Sequence, residues 1–189
     1  MKRQQIKYLQ PEEIKIFLST LQKDKTAKRS YMMWRIALNT GMRLGELISL
    51  NVGQVEGQSG CEVIGKGKKI RFIPLNQEIQ EHIKEYLKWK RWKKEDCSFD
   101  APLFLSRVSK RITKQAAIND FKKWSRTAGL KGDFTPHACR HTAATQIWKK
   151  TGDLKLIKDL LGHSRISTTD IYTHTTKEDL KRTVEAISI

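Results

Sequence analysis

The chain has 189 residues, 38% apolar and 30% charged, enough for one ordinary domain with a real core and tight for two. Lysine and arginine number 37 against 20 aspartates and glutamates, a formal net charge of +17, and a compact body with that excess attracts polyanions. No apolar run approaches the ~18 residues of a membrane span, and MKRQQIKYLQPEE has no apolar segment behind its basic residues, so it is not a signal peptide. Nucleic acid is the favoured partner. A membrane surface fits less well, since no single amphipathic basic helix dominates. Cys61, Cys97 and Cys139 are widely spaced with no C-x-x-C, which argues against a cysteine zinc site and for free thiols in a reducing compartment.

In chain order, Gln10-Pro11-Glu12-Glu13 reads as a helix start, with Ile14, Phe17, Leu18 and Leu21 on one face. A second helix is predicted over 28–39, broken by Thr40-Gly41, and a short third over 43–50 with Leu44, Leu47 and Ile48 inward. Cys61–Ile64 and Ile70–Ile73 are β-like runs around Gly65-Lys66-Gly67-Lys68-Lys69, a hairpin with a basic tip, and Gln54–Glu56 is a candidate third strand. A long helix is predicted over 75–94, then an apolar connector at Pro102–Leu105. Further helices are predicted over 113–128, 137–150, 154–161 and 167–173, and a tail helix over 177–187. The fold class is therefore α+β: a single, mainly helical domain over residues 1–189 with a small three-stranded antiparallel sheet. There is no internal repeat and no obvious linker.

Three stretches carry candidate chemistry. In Thr135-Pro136-His137-Ala138-Cys139-Arg140, His137 and Arg140 share a helical face near its N-terminus, where backbone N–H groups also favour an anion. In Thr40–Leu47, Arg43 opens a helix and Glu46 can reach back toward Arg43 or a neighbouring histidine. Leu160-Leu161-Gly162-His163-Ser164 is followed, nine residues after His163, by Tyr172. Lys66, between two glycines, could swing into a ligand, with Lys68 and Lys69 competing for any role there. Taken alone, each admits a plain structural reading: a surface arginine, an intrahelical ion pair, a solvated turn, one tyrosine among four.

Taken in order, Arg43, Lys66, His137-x-x-Arg140, Leu161-Gly162-His163 and Tyr172 resemble the active-site signature of the tyrosine recombinases, the phage integrase family. The local wording is similar too: T-G-M-R-L-G-E-L, G-K-G-K-K-I-R-F-I-P-L, T-P-H-A-C-R-H-T, L-L-G-H-S and T-T-D-I-Y-T-H, over about residues 10–175. The resemblance implies a site-specific recombinase that cleaves and rejoins DNA through a 3′-phosphotyrosyl bond to Tyr172. Arg43, Arg140 and His163 would hold the phosphate, His137 would take the tyrosine proton, and Lys66 would protonate the leaving 5′ oxygen. Glu46 would orient Arg43 or His137. No metal, cofactor or ATP is expected, because the arginines supply the positive charge and the covalent link conserves bond energy.

Lys68, Lys69, Lys90, Lys93 and Lys94 are expected to contact DNA phosphates, as are the neighbouring Lys88 and Arg91, interleaved with Trp89 and Trp92, and Lys122, Lys123 and Arg126. Leu180, Val184 and Ile187 form an apolar stripe expected to dock on a neighbouring subunit, giving a homo-oligomer on double-stranded DNA, a tetrameric synapse. The expected setting is the cytoplasm, at the nucleoid. Family members mostly carry a separate helical clamp domain ahead of the catalytic one. Because the catalytic pattern starts so early, this chain is expected to lack that domain, as a short form similar to the invertases of fimbrial genes or as a catalytic fragment. The rival expectations are type IB topoisomerase-like relaxation and a catalytically silent DNA-binding regulator.

Overall fold

The computed structural model describes residues 8–65, 70–162, 181, 184 and 185. Its helices are α1 (Pro11–Lys23), α2 (Lys28–Thr40), α3 (Leu44–Ser49), α4 (Gln77–Trp92), α5 (Lys114–Thr127), α6 (His137–Thr151) and α7 (Leu154–Leu161). The strands β1 (Gly60–Ile64) and β2 (Ile70–Pro74) pair antiparallel in the register Gly60↔Pro74 to Ile64↔Ile70. The expected helices at 167–173 and 177–187 lie outside the described residues, apart from 181, 184 and 185.

Helix α2 is the axis of the fold. Met32, Met33, Trp34, Ile36 and Leu38 are all buried, and α1, α4, α5 and α6 pack around them. A helix buried on nearly every side must satisfy its polar groups internally. Trp34 Nε1 donates to Asp120 Oδ2 at 2.8 Å, and Thr40 Oγ1 donates to the Ile36 carbonyl at 2.7 Å. Helix α2 ends at Gly41, whose φ of +65° is the left-handed conformation that a side chain disfavours. A Cβ there would lie 2.6 Å from Leu161 Cδ2 and 3.2 Å from Ala143 Cβ, so the glycine also lets α2 meet α6 and α7 closely.

The third strand expected at Gln54–Glu56 is absent. Val52–Gln54 is a turn of 3-10 helix, and the sheet of the described residues has two strands. The backbone donors there are used locally or on a loop: Val52 N–H bonds to Ala101 O, Gly53 N–H to Phe99 O, and Val55 N–H to Val52 O. Those donors are therefore not offered to β1 as a ladder. Helix α4 starts at Gln77, later than the apolar pattern suggests, because the Asn76 side chain caps it by accepting from Ile79 N–H at 2.9 Å.

Two surface expectations change. Lys90, expected to face DNA, is fully buried, and its ammonium bonds to Glu95 Oε2 at 2.7 Å. The basic pattern of α4 hides this, because only packing tells which lysine turns inward. Val184 of the tail, expected to dock on a neighbour, is buried against Ile147, Leu160 and Ile157 of its own chain. The Val184 carbonyl accepts from Asn76 Nδ2 at 3.4 Å, and Glu185 Oε1 accepts from Gln77 N–H at 3.0 Å. Leu180 and Ile187 lie outside the described residues. No helix among the described residues is long and apolar enough to cross a membrane.

Gly41→Ala combines a left-handed backbone with a steric clash and should cost about 2 kcal/mol. Urea denaturation should show a lower midpoint with an unchanged slope.

Candidate active site

The site is built around the C-terminal end of α7. The last carbonyls of any helix lack intrahelical partners and carry the negative end of its dipole. Here three arginines from three other elements supply the missing donors. Arg71 on β2 donates from Nε to the Leu160 carbonyl at 3.1 Å. Arg140 on α6 donates from Nη2 to Leu161 O at 2.6 Å and from Nη1 to Gly41 O at 2.8 Å. Arg43, the residue before α3, donates from Nη2 to Gly162 O at 3.0 Å. Gly162 has a φ of +64° and closes α7 through its own N–H to Lys158 O at 2.8 Å. The next residue in the chain is His163.

Glu46 is the counter-charge. Its two oxygens accept from Arg71 Nη1 and Nη2 at 2.7 Å each, a bidentate pair. Its Oε1 also accepts from Arg43 Nη1 at 3.1 Å, and its Oε2 from the Arg43 backbone N–H at 2.8 Å. Of the two partners left open by the sequence, Glu46 thus takes Arg43, and it takes Arg71 besides. Burial alone would raise the Glu46 carboxyl, but the bonds from Arg71 and Arg43 outweigh it and hold it below the usual carboxylate range.

Arg71 and Arg43 share this one carboxylate and Arg140 lies near enough to feel its charge, so the cluster carries an excess of positive charge. The strain shows on Arg140: burial, then the charges of Arg43 and Arg71, push its pKa down to about 10, so it stays protonated at neutral pH. Arg140 is buried, whereas the Arg43 side chain is 32% exposed and is the member a ligand can reach. His137 opens α6 one turn before Arg140 and is exposed. Half-buried His141 is held below the usual imidazole range by burial, with His137 and Arg140 adding to the effect.

Sequence reasoning singled out Arg43, Glu46, His137 and Arg140, and the fold brings Arg43, Glu46 and Arg140 together. Lys66, Lys68, Lys69, His163 and Tyr172 lie outside the described residues. Arg71 was missed as a site residue. Its signal was a lone arginine inside the apolar run Ile70–Ile73, with no carboxylate near it in sequence. Exposed Lys93 lies over the Trp92 ring at 5.2 Å from its centroid, Lys94 is exposed, and Arg91 pairs with Glu56 at 2.5 Å. Cys139, inside the His137–Arg140 motif, is fully buried, and burial raises its thiol pKa, so it is no nucleophile.

This architecture is shared with tyrosine recombinase catalytic domains. The crystal structure of XerA recombinase superposes with a TM-score of 0.74 and 30% identity, covering 93% of this chain and 62% of that one. The post-cleavage complex of XerH site-specific recombinase with palindromic difH substrate gives a TM-score of 0.72 at 25% identity, covering 85% and 47%. The sequence profile of the phage integrase family matches residues 7–179, and the chain belongs to that family. Curated relatives include tyrosine recombinase XerD of Oceanobacillus iheyensis, 35% identical over 92% of this chain, and tyrosine recombinase XerC of Chlamydia caviae, 34% identical over 92%. The chain spans 59% and 56% of the lengths of these two relatives.

Glu46→Ala would leave the largely covered Arg71 without its carboxylate partner and should cost about 3 kcal/mol of stability by chemical denaturation. Because the Glu46 pKa is lowered on folding, the stability it contributes is complete above the usual carboxylate range and is lost as pH falls through its lower folded value. A pH series of unfolding midpoints should therefore show an acid-side loss that is smaller in Glu46→Gln than in the wild type.

Proposed function

We propose that this chain is the catalytic domain of a site-specific DNA recombinase that cleaves and rejoins strands through Tyr172. The observation that carries the reading is the convergence of Arg43 and Arg140, from different elements, on the carbonyls just before His163, with more guanidinium than carboxylate charge between them. Such a cluster suits a phosphodiester, whose attacked form spreads extra negative charge over its oxygens. The relatives named XerC and XerD, and the XerH complex with its difH substrate, support DNA as the partner.

In this mechanism the Tyr172 oxygen forms a bond to the scissile phosphorus as the bond to the 5′ oxygen breaks. A phenol of pKa ~10 needs its proton removed. Exposed His137, one helical turn before Arg140 on α6, accepts it. Lys66 returns a proton to the departing 5′ oxygen. Arg43 and Arg140, with His163, hold the phosphoryl oxygens. A guanidinium carries five N–H donors, so Arg43 can keep Glu46 and still offer N–H groups to a phosphate. The reverse reaction joins the 5′-hydroxyl of a partner strand, and neither metal nor ATP takes part. Lys68, Lys69, Lys93 and Lys94 would grip the duplex backbone. The working assembly would be a homotetramer synapsing two sites, with the tail beyond Thr175 contributing to the contacts between subunits.

The test is a nicked suicide substrate. A pool of random-sequence nicked duplexes should yield a protein–DNA adduct on a denaturing gel with wild type and none with Tyr172→Phe. Equal adducts from both proteins would overturn the reading. Arg43→Ala should slow adduct formation by about 100- to 1,000-fold. DNA affinity should fall steeply as salt rises, since counterions are released on binding. Removing the chain from Thr176 onward should lower the cooperativity of DNA-bound assembly in mobility-shift titrations.

A further inference from the structure

Arg71 is a charged group that the mechanism above does not use. Its side chain is only 12% exposed, too covered to serve as a landing point for DNA. It contacts two parts of the site at once. Its terminal nitrogens both bond to Glu46, which in turn holds Arg43 by side chain and backbone. Its Nε bonds to Leu160 O at the end of α7. The Gly162 turn rests directly on it: a Cβ at Gly162 would lie 3.0 Å from Arg71 Nη1 and 3.1 Å from its Cδ.

We propose that Arg71 is a positioning residue that locks the Arg43–Glu46 pair against the end of α7, so that Arg43 and Arg140 meet a phosphate at a fixed spacing. This rests on the recombinase reading given above. Two physical effects follow from the contacts. First, with Arg71 bound to both Glu46 oxygens, Arg43 shares the carboxylate instead of monopolising it and keeps charge and donors for a ligand. Without Arg71, Glu46 would turn wholly to Arg43 and partly neutralise it. Second, one planar fork spans Glu46 and Leu160 O together. A lysine ammonium, a point donor on a flexible stem, restores the charge but not the two-sided geometry.

The experiment uses the full 189-residue chain with Arg71→Gln and Arg71→Lys, beside wild type and Tyr172→Phe. The probe is nicked duplex recovered from wild-type adducts in the random pool. Single-turnover adduct formation is followed across pH, with DNA affinity and the thermal midpoint measured in parallel. The proposal expects cleavage by Arg71→Gln to fall about 100-fold, the size of effect that a small misplacement of reacting groups produces. It expects DNA affinity to hold, because the Arg71 side chain is largely covered. The acid limb of the rate profile should move to higher pH, because Glu46 loses one of the two arginines that keep it ionised. Arg71→Lys should restore the acid limb while recovering only part of the rate.

A purely structural role predicts otherwise: cleavage would fall only as the folded fraction falls, with the acid limb unmoved. That result, or a wild-type rate in Arg71→Gln, overturns the proposal. If Arg71→Gln does not fold, Arg71→Lys decides the matter, since a full wild-type rate in that variant rules out the need for the fork. Absence of a Tyr172-dependent adduct from wild type would instead bring down the recombinase reading, and the role of Arg71 with it. The two failures are therefore distinct.

Discussion

The unsatisfied C-terminal end of α7 is the constraint on which the rest of the site depends. A helix that ends inside a protein leaves its last carbonyls in need of donors. In this chain those of Leu160, Leu161 and Gly162 are met by Arg71, Arg140 and Arg43, one each. The same bonds that finish the helix draw three guanidinium groups into one place. Concentrating like charge is costly, and the charges of Arg43 and Arg71 add to burial in lowering the pKa of Arg140. One carboxylate, Glu46, offsets part of that cost and leaves the remainder for an anion.

The scaffold around this point is rigid where it has to be. Helix α2 supplies a buried axis and stops at Gly41, whose carbonyl takes the second hydrogen bond of Arg140. The close approach of Leu161 and Ala143 to Gly41 fixes α6 and α7 against the end of α2. Each arginine in the cluster is therefore held at its base by packed secondary structure and at its tip by a backbone or carboxylate oxygen. A site for a phosphodiester benefits from this preorganisation, since donors that are already oriented need not be rearranged as charge develops. Arg43 has the more exposed side chain and Arg140 the more buried one, so a ligand would meet one arginine first and be anchored by the other.

Val184 and Glu185 join the same framework. Val184 fills an apolar gap between α6 and α7, and Asn76 and Gln77 at the start of α4 hold the backbone and side chain beside it. Leu160 touches both systems: its side chain packs on Val184 and its carbonyl meets Arg71. Tail seating and active-site geometry thus share one residue of α7.

Local pattern was enough to read much of this molecule. The helical periodicity of α1, α2 and α4 to α7, the glycine break at Gly41 and the antiparallel runs that become β1 and β2 are properties of neighbouring residues, and neighbouring residues determine them. What only the tertiary structure decided are contacts between residues far apart in the chain. Whether Lys90 faces solvent or Glu95, whether Gln54–Glu56 pairs as a strand or spends its donors in a turn, and where Val184 docks all depend on what packs across from them. Arg71 is the clearest case. In sequence it is one more strand residue, 25 positions from Glu46 and 89 from Leu160. Its partnership with both exists because a largely covered guanidinium must find acceptors, and only the assembled fold supplies them.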